Sequence, residues 1–172
     1  ADQSLRSEHS NLIIAGGMES MTNVPHYLKN SRIGSKLGDI KQIDGMINDG
    51  LWDIYDQTHM GGHGETCAES YNISREDQDN YAAKSYKRSQ KAMSSGILND
   101  EIVDIFDDKG ERIDIKDEEP LRVKFDKIKS LRSVFKKDGT ITAANASTIN
   151  DGAAVCMLTL EHKADELNLK PK

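Results

Sequence analysis

Residues Thr140 to Ala154 read TITAANASTINDGAA, and seven of these positions are alanine, glycine or serine. A run so poor in side-chain bulk lets the backbone come close to something large, with Asn145 and Ser147 left to supply polar contacts. Two structures satisfy it: a small-residue surface beneath a ligand, or a tight turn packed against its own sheet. After Asn150-Asp151-Gly152, the stretch Ala153 to Leu160 (AAVCMLTL) is apolar without alternation. That is the pattern of a buried strand, in which Cys156 would be an inert small hydrophobe.

The opening of the chain has the same character. Ala1 to Ser10 reads as the tail of a helix, and Asn11 to Ala15 (NLIIA) as a parallel strand buried on both faces. Gly16-Gly17 then offers a turn, placing Met18, Glu19, Ser20 and Met21 at the carboxyl end of that strand, where open α/β sheets build their sites. At least one of the two methionines is expected to fill a core instead.

Between these ends, Asn23 to Gln57 carries Pro25, Gly34, Gly38, Gly45 and Gly50 among scattered charges, as in an irregular surface excursion with short helical turns. Ser74 to Met93 is the clearest helix. Ser74 stands as N-cap with Asp77 in the capping-box position, Glu76 and Asp77 suit the first turn, and Gly96 follows the end. Its apolar stripe is Tyr81, Ala82, Tyr86, Ala92 and Met93, read as a core face. Residues 101–106 and 111–115 flank Asp107-Asp108-Lys109-Gly110 as a β-hairpin.

Net charge and hydropathy exclude two classes. A formal charge of -6 disfavours nucleic acid, and no apolar run approaches the roughly 18 to 20 residues of a membrane span. Lys124, Lys127, Lys129, Arg132, Lys136 and Lys137 form one basic neighbourhood, open to a phosphate-bearing ligand or simply solvated. Cys67 and Cys156 make no CxxC pair, so a reducing compartment is expected, and not secretion. His59, His63, Glu65 and Cys67 are all metal-ligand types, but Gly61, Gly62 and Gly64 are expected to break the helix that would align them. The ends suggest a piece of a larger chain: Ala1 opens without Met or an export signal, and Lys172 stops after a strand and a short helical stretch.

These motifs, taken together, resemble the thiolase family, nearest to its acetyl-CoA C-acetyltransferase members of the biosynthetic or mitochondrial type. The small-residue run is similar to the family's T-A-x-N-A-S-x-x-N-D-G-A-A segment, Ile13 to Met21 (IIAGGMESM) to the strand after the nucleophile helix, and His59-Met60-Gly61 to its HMG segment. GGMESMTNVPHYL, NDGLWDIYDQTHMGG and NISREDQDNYAAKSYKRS follow in the family's order. The likeness covers the whole chain but only the middle of a thiolase. It implies a layered α/β thiolase-like fold, with two strands of the N-terminal sheet and an inserted α+β loop domain. The implied divisions are 1–22 in the N-terminal domain, 23–139 as the loop domain, and 140–172 back in the N-terminal domain.

By this resemblance the chain supplies the coenzyme A side of the pocket. His59 and Met60 line the substrate site, Ala143 and Ser147 the pantetheine channel, and Phe135 packs on the pantetheine. Leu51 touches the adenine or pantetheine, and Arg122 lies near the adenine. Tyr86, with the carbonyls of Ala143, Ala144 and Ala146, matches the potassium site of the mitochondrial subclass. Glu65 matches the acid of the family's M-G-x-x-A-E pattern, although Gly64 replaces its alanine and His63 precedes it. Catalytic residues are expected to be absent here: the nucleophilic cysteine would lie before Ala1, and the second cysteine, the histidine and an asparagine in a later half. The isolated chain is therefore expected to show no turnover. Coenzyme A thioesters are the implied substrates, with no other cofactor, two acetyl-CoA being condensed to acetoacetyl-CoA or the reverse. The expected partners are the rest of a thiolase chain or a partner subunit in a dimer or tetramer, in the mitochondrial matrix or cytoplasm. The alternative is an inactive thiolase-like subunit that binds acyl-CoA or has a structural role.

Overall fold

A computed structural model describes residues 1–113 and 116–171. Asp114 and Ile115, in the second arm of the expected hairpin, and Lys172 lie outside the described residues. The chain divides into two compact units, the first made of Ala1–Met46 with Ile149–Lys172 and the second of Ile47–Thr148.

The first unit is built on an antiparallel ribbon. Helix α1 (Asp2–Arg6) leads to strand β1 (Leu12–Ser20), which pairs with β8 (Asp151–Thr159) from Leu12 opposite Thr159 to Ser20 opposite Asp151. The ribbon is tied at both ends: Thr159 Oγ1 donates to the Asn11 carbonyl at 2.7 Å, and the Thr22 N–H to Asp151 Oδ1 at 2.9 Å. Two short strands, β2 (His26–Leu28) and β3 (Gln42–Asp44), form a second antiparallel pair, and α5 (Glu161–Glu166) closes the sequence. Leu5 of α1 and Ala164 of α5 are the buried apolar side chains described in this unit.

Three expectations change here. The β1–β8 pairing is antiparallel, and β1 runs on through Gly16 and Gly17, because β8 supplies Val155 and Ala154 opposite them and keeps the ladder continuous. Neither strand is buried on both faces: Ile14 is 71% exposed, Met18 81% and Val155 77%. Cys156 is likewise exposed. A continuous apolar run registers affinity for a core without specifying which neighbour, or which direction of neighbour, provides it.

The second unit is mainly helical. After a π-helical turn over Met46–Leu51, β4 (Trp52–Asp53) pairs with β5 (Thr58–His59), and α2 follows over Met60–Ser70. The glycines do not break α2; its start is fixed by His59, whose Nδ1 accepts the Gly61 N–H at 3.0 Å. Helix α3 (Arg75–Ser95) then runs for 21 residues. The Ser74 hydroxyl oxygen accepts the Asp77 N–H at 3.0 Å and donates to Asp77 Oδ2 at 2.6 Å, while Gly96 ends the helix at φ 68°, a left-handed conformation that costs glycine little. Strands β6 (Ile105–Phe106) and β7 (Arg112–Ile113) form the hairpin in shorter arms than expected, and Asp107 Oδ1 caps its turn by accepting the Lys109 and Glu111 N–H groups. A short helix α4 (Glu119–Arg122) and a 3-10 turn over Phe125–Ser130 complete the unit.

The inward face of α3 is more polar than its apolar residues suggest. Tyr81 is 74% exposed, and the face instead carries Asp79 and Ala82, both buried, with Arg75, Gln78 and Tyr86 half-buried beside them. That spacing of three and four residues is a helical stripe, but its polar members were hidden from a hydrophobicity pattern.

The cap at Ser74 gives a direct check on this helix. Ser74→Ala is expected to lower stability by about 1 kcal/mol while Ser74→Thr changes it far less. Urea denaturation of the full-length protein should show this as a lowered midpoint with an unchanged m-value.

Candidate functional site

The small-residue run is held by a buried carboxylate. Glu65, on α2 and only 3% exposed, accepts the Thr140 N–H at 2.8 and 3.0 Å, the Thr140 hydroxyl at 3.0 Å and the Ile141 N–H at 2.9 Å. The approach needs Gly139: a Cβ there would lie 2.4 Å from Glu65 Oε1. Burial pushes the Glu65 pKa up, but the amide, hydroxyl and nearby Lys136 contributions outweigh it and leave the group below the usual carboxylate range. The charge is thus matched chiefly by backbone N–H groups that cannot reorient.

A second carboxylate holds the turn itself. Asn145 Oδ1 accepts the Thr142 N–H at 2.7 Å, and its Nδ2 donates to Asp79 Oδ1 at 3.0 Å and to the Thr140 carbonyl at 3.1 Å. Gln78 adds a bond to the Thr140 hydroxyl at 2.9 Å, and the Thr142 carbonyl accepts from the N–H groups of Asn145 and Ala146. Asn145 therefore faces inward, fully engaged by the protein, and is not left free to meet a ligand as its sequence position suggested. The backbone of 142–146 is the tight turn foreseen as one of two readings, but it is bonded to helices and not to a sheet. Its outer side leaves Ala143 and Ser147 exposed.

Several of the other expected site residues converge nearby. The rings of His59 and Phe135 stack with centroids 4.9 Å apart and planes at 22°. Gly61 makes room for this, since a Cβ would lie 2.3 Å from the Phe135 ring. Val134, next to Phe135, donates its N–H to the Ile141 carbonyl at 2.9 Å, which joins the aromatic pair to the small-residue run. Met60 is exposed at the start of α2, and Leu51 precedes Trp52, the residue paired with His59. Arg122 is placed differently: it is exposed and ion-paired with Glu118 one turn back.

Tyr86 donates its hydroxyl to Glu119 Oε1 at 3.0 Å, and burial followed by this bond raises its pKa. It is a neutral phenol whose oxygen lone pairs remain for a cation. The expected potassium donors, this hydroxyl and the carbonyls of Ala143, Ala144 and Ala146, are all hard oxygens, the type that an alkali cation takes.

The His59, His63, Glu65 and Cys67 set does not act together. His59 stacks, Glu65 clamps the run, and His63 Nε2 faces Asp53 Oδ2 at 3.3 Å and Asp56 Oδ2 at 3.8 Å. Asp53 is held below its ordinary pKa first by the N–H groups of Asp56 and Tyr55, and then by His63. In the basic neighbourhood, Lys136 pairs with Glu69 and Lys129 with Glu76 at 3.6 Å.

Arg75 and Asp79 were not singled out in the sequence. The available signal was their spacing of four on the same face as Ala82, an i,i+4 charge pair inside the inward stripe of a long helix.

Comparison with known proteins gives the family and the fold. The thiolase N-terminal domain matches residues 1–162, and the chain belongs to the thiolase family. An acetyl-CoA acetyltransferase of Saccharomyces cerevisiae is 47% identical over 174 residues, covering 98% of this chain and 44% of the yeast protein. The acetyl-CoA acetyltransferase structure from Syntrophomonas wolfei superposes with a TM-score of 0.82 at 39% identity, over 98% of this chain and 42% of that one. The Acat5 thiolase of Ascaris suum, solved in complex with coenzyme A, gives 0.82 at 37% identity, over 98% and 43%. The chain thus spans less than half the length of these relatives, and the α/β class is that of the thiolase fold. No helix among the described residues is long and apolar enough to cross a membrane.

Glu65→Gln tests the clamp. The amide keeps one acceptor but turns an N–H toward the Thr140 and Ile141 donors, so a loss of about 2 kcal/mol is expected at neutral pH. Because the folded pKa is depressed, the wild-type contribution is present above the ordinary value of about 4.3 and is lost as pH falls through the folded value. Denaturation measured from neutral to acid pH should show this loss in the wild type and a flatter profile in Glu65→Gln.

Proposed function

We propose that the chain forms the coenzyme A side of the pocket in an acetyl-CoA C-acetyltransferase, which condenses two acetyl-CoA into acetoacetyl-CoA and free coenzyme A, or runs the reverse. The observation that carries this reading is the small-residue run itself, clamped by Glu65, with Ala143 and Ser147 exposed on a turn joined to the His59–Phe135 stack. A pantetheine arm is slender and carries amides, so it suits a surface with little side-chain bulk, one hydroxyl and an aromatic face. In this reading Phe135 lies against the arm, Ser147 bonds it, His59 and Met60 border the acyl end, and Leu51 and Arg122 approach the adenine. The acyl-accepting cysteine, the acid/base cysteine and the histidine belong to the remainder of the protein.

On the same reading Tyr86 and the carbonyls of Ala143, Ala144 and Ala146 would hold a potassium ion, which would supply fixed positive charge to the site. We also place the protein in the mitochondrial matrix or cytoplasm, as a dimer or tetramer.

The full-length protein is expected to cleave acetoacetyl-CoA only when free coenzyme A is added, as followed by loss of the enolate absorbance. Ser147→Leu should raise the KM for coenzyme A by at least about tenfold through steric filling of the channel. Calorimetry that detects no coenzyme A binding to the full-length protein would overturn the reading, and binding without turnover would favour an inactive acyl-CoA-binding subunit.

The cation is tested separately. Activity is expected to rise with potassium chloride and not with sodium chloride at matched ionic strength, and Tyr86→Phe is expected to abolish the difference. Equal activity in the two salts would remove potassium from the site.

A further inference from the structure

The Arg75–Asp79 pair sits where two separate segments of the proposed site are anchored. Arg75 Nε donates to Asp79 Oδ2 at 2.8 Å, and one terminal nitrogen of the same guanidinium donates to the carbonyls of Ile128 at 3.1 Å and Leu131 at 2.9 Å. Those carbonyls belong to the stretch that leads to Phe135. Asp79 Oδ1 meanwhile accepts from Asn145, which sets the turn leading to Ser147. Asp79 is 4% exposed, Ile128 4% and Thr142 0%. The carboxylate is enclosed while the Arg75 side chain stays 25% exposed, and a planar guanidinium fixes the direction of each bond it makes.

We propose that Arg75 and Asp79 are a pair of positioning residues that set the separation between the Phe135 wall and the Ala143–Ser147 wall of the coenzyme A channel. Neither residue touches the ligand. The inference rests on the coenzyme A reading for its ligand, but the mechanical link between the two segments stands apart from it. One helical turn of α3 serves as the ruler: the guanidinium carries one wall, the carboxylate carries the other, and their mutual bond ties the two. A channel whose walls are spaced in this way selects for the cross-section of the arm, and its loss should weaken binding before it affects the chemical step.

Two variants of the full-length protein separate the parts. Asp79→Asn keeps the volume and an acceptor for Asn145 but removes the ion pair. Arg75→Lys keeps a charge facing Asp79 but loses the fork to Ile128 and Leu131. Asp79→Asn is expected to raise the KM for coenzyme A about tenfold with kcat changed by less than about twofold. Hydrogen exchange should quicken in 128–135 and 140–147 together for Asp79→Asn, and in 128–135 alone for Arg75→Lys. The Arg75→Lys/Asp79→Asn double variant should be no worse in KM than Asp79→Asn. Gly96→Ala, which strains the same helix at its far, left-handed end, should leave KM unchanged.

An unchanged KM in Asp79→Asn, or a KM that rises equally in Gly96→Ala, would overturn the proposal and leave the pair a plain stabiliser of α3. Coenzyme A binding by the wild-type protein is measured first, by calorimetry. Its absence would overturn the coenzyme A reading by itself, and the exchange pattern would then still decide whether the pair holds both segments.

Discussion

The helical unit depends on two buried carboxylates meeting backbone and amide donors that have nowhere else to go. A carboxylate taken out of water is costly unless its oxygens are fully bonded, and a turn of small residues has no side chains with which to hold itself. Each deficiency answers the other. Glu65 gains the N–H groups of Thr140 and Ile141 and the Thr140 hydroxyl, and the run gains a fixed position against α2. Asp79 does the same through Asn145, an amide whose two ends are committed to different partners and whose orientation is therefore settled.

This arrangement explains how a surface can be smooth, open and still definite in shape. The bonds that fix the turn all lie on its inner side, so Ala143 and Ser147 are presented outward without having to stabilise anything. Glycine at position 139 belongs to the same design, since any larger residue would displace the carboxylate. Gly61 plays the corresponding part for the His59–Phe135 stack.

Much of this was legible in the sequence, and the gaps have physical causes. The α3 boundaries could be read from Ser74, Asp77 and Gly96 because capping is local chemistry between residues three apart. Motif resemblance pointed to the small-residue run, His59 and Phe135, but not to the stacking and backbone bond that join them. The start of α2 could not be read, because histidine is an uncommon cap and glycine usually argues against a helix interior. The direction of β1–β8 pairing was hidden because an apolar run says nothing about which strand lies beside it. Asp79 escaped notice because charge on a helix normally signals solvent, and only the fold shows that Arg75 and Asn145 enclose it.

The β1–β8 ribbon joins segments far apart in sequence, with Thr159 bonded to Asn11 across 148 positions. Strand β1 must therefore be synthesised long before its partner exists. At ribosomal rates of roughly 5 to 20 residues per second, the groups of β1 that face β8 wait about 7 to 30 s for that partner. The helical unit between them can fold within that interval, as its bonds are closer in sequence, whereas the ribbon can only close afterwards. Until β8 emerges, the edge of β1 that it will occupy is open to mispairing, and the order of synthesis therefore exposes this ribbon to misassembly longer than it does the helical unit.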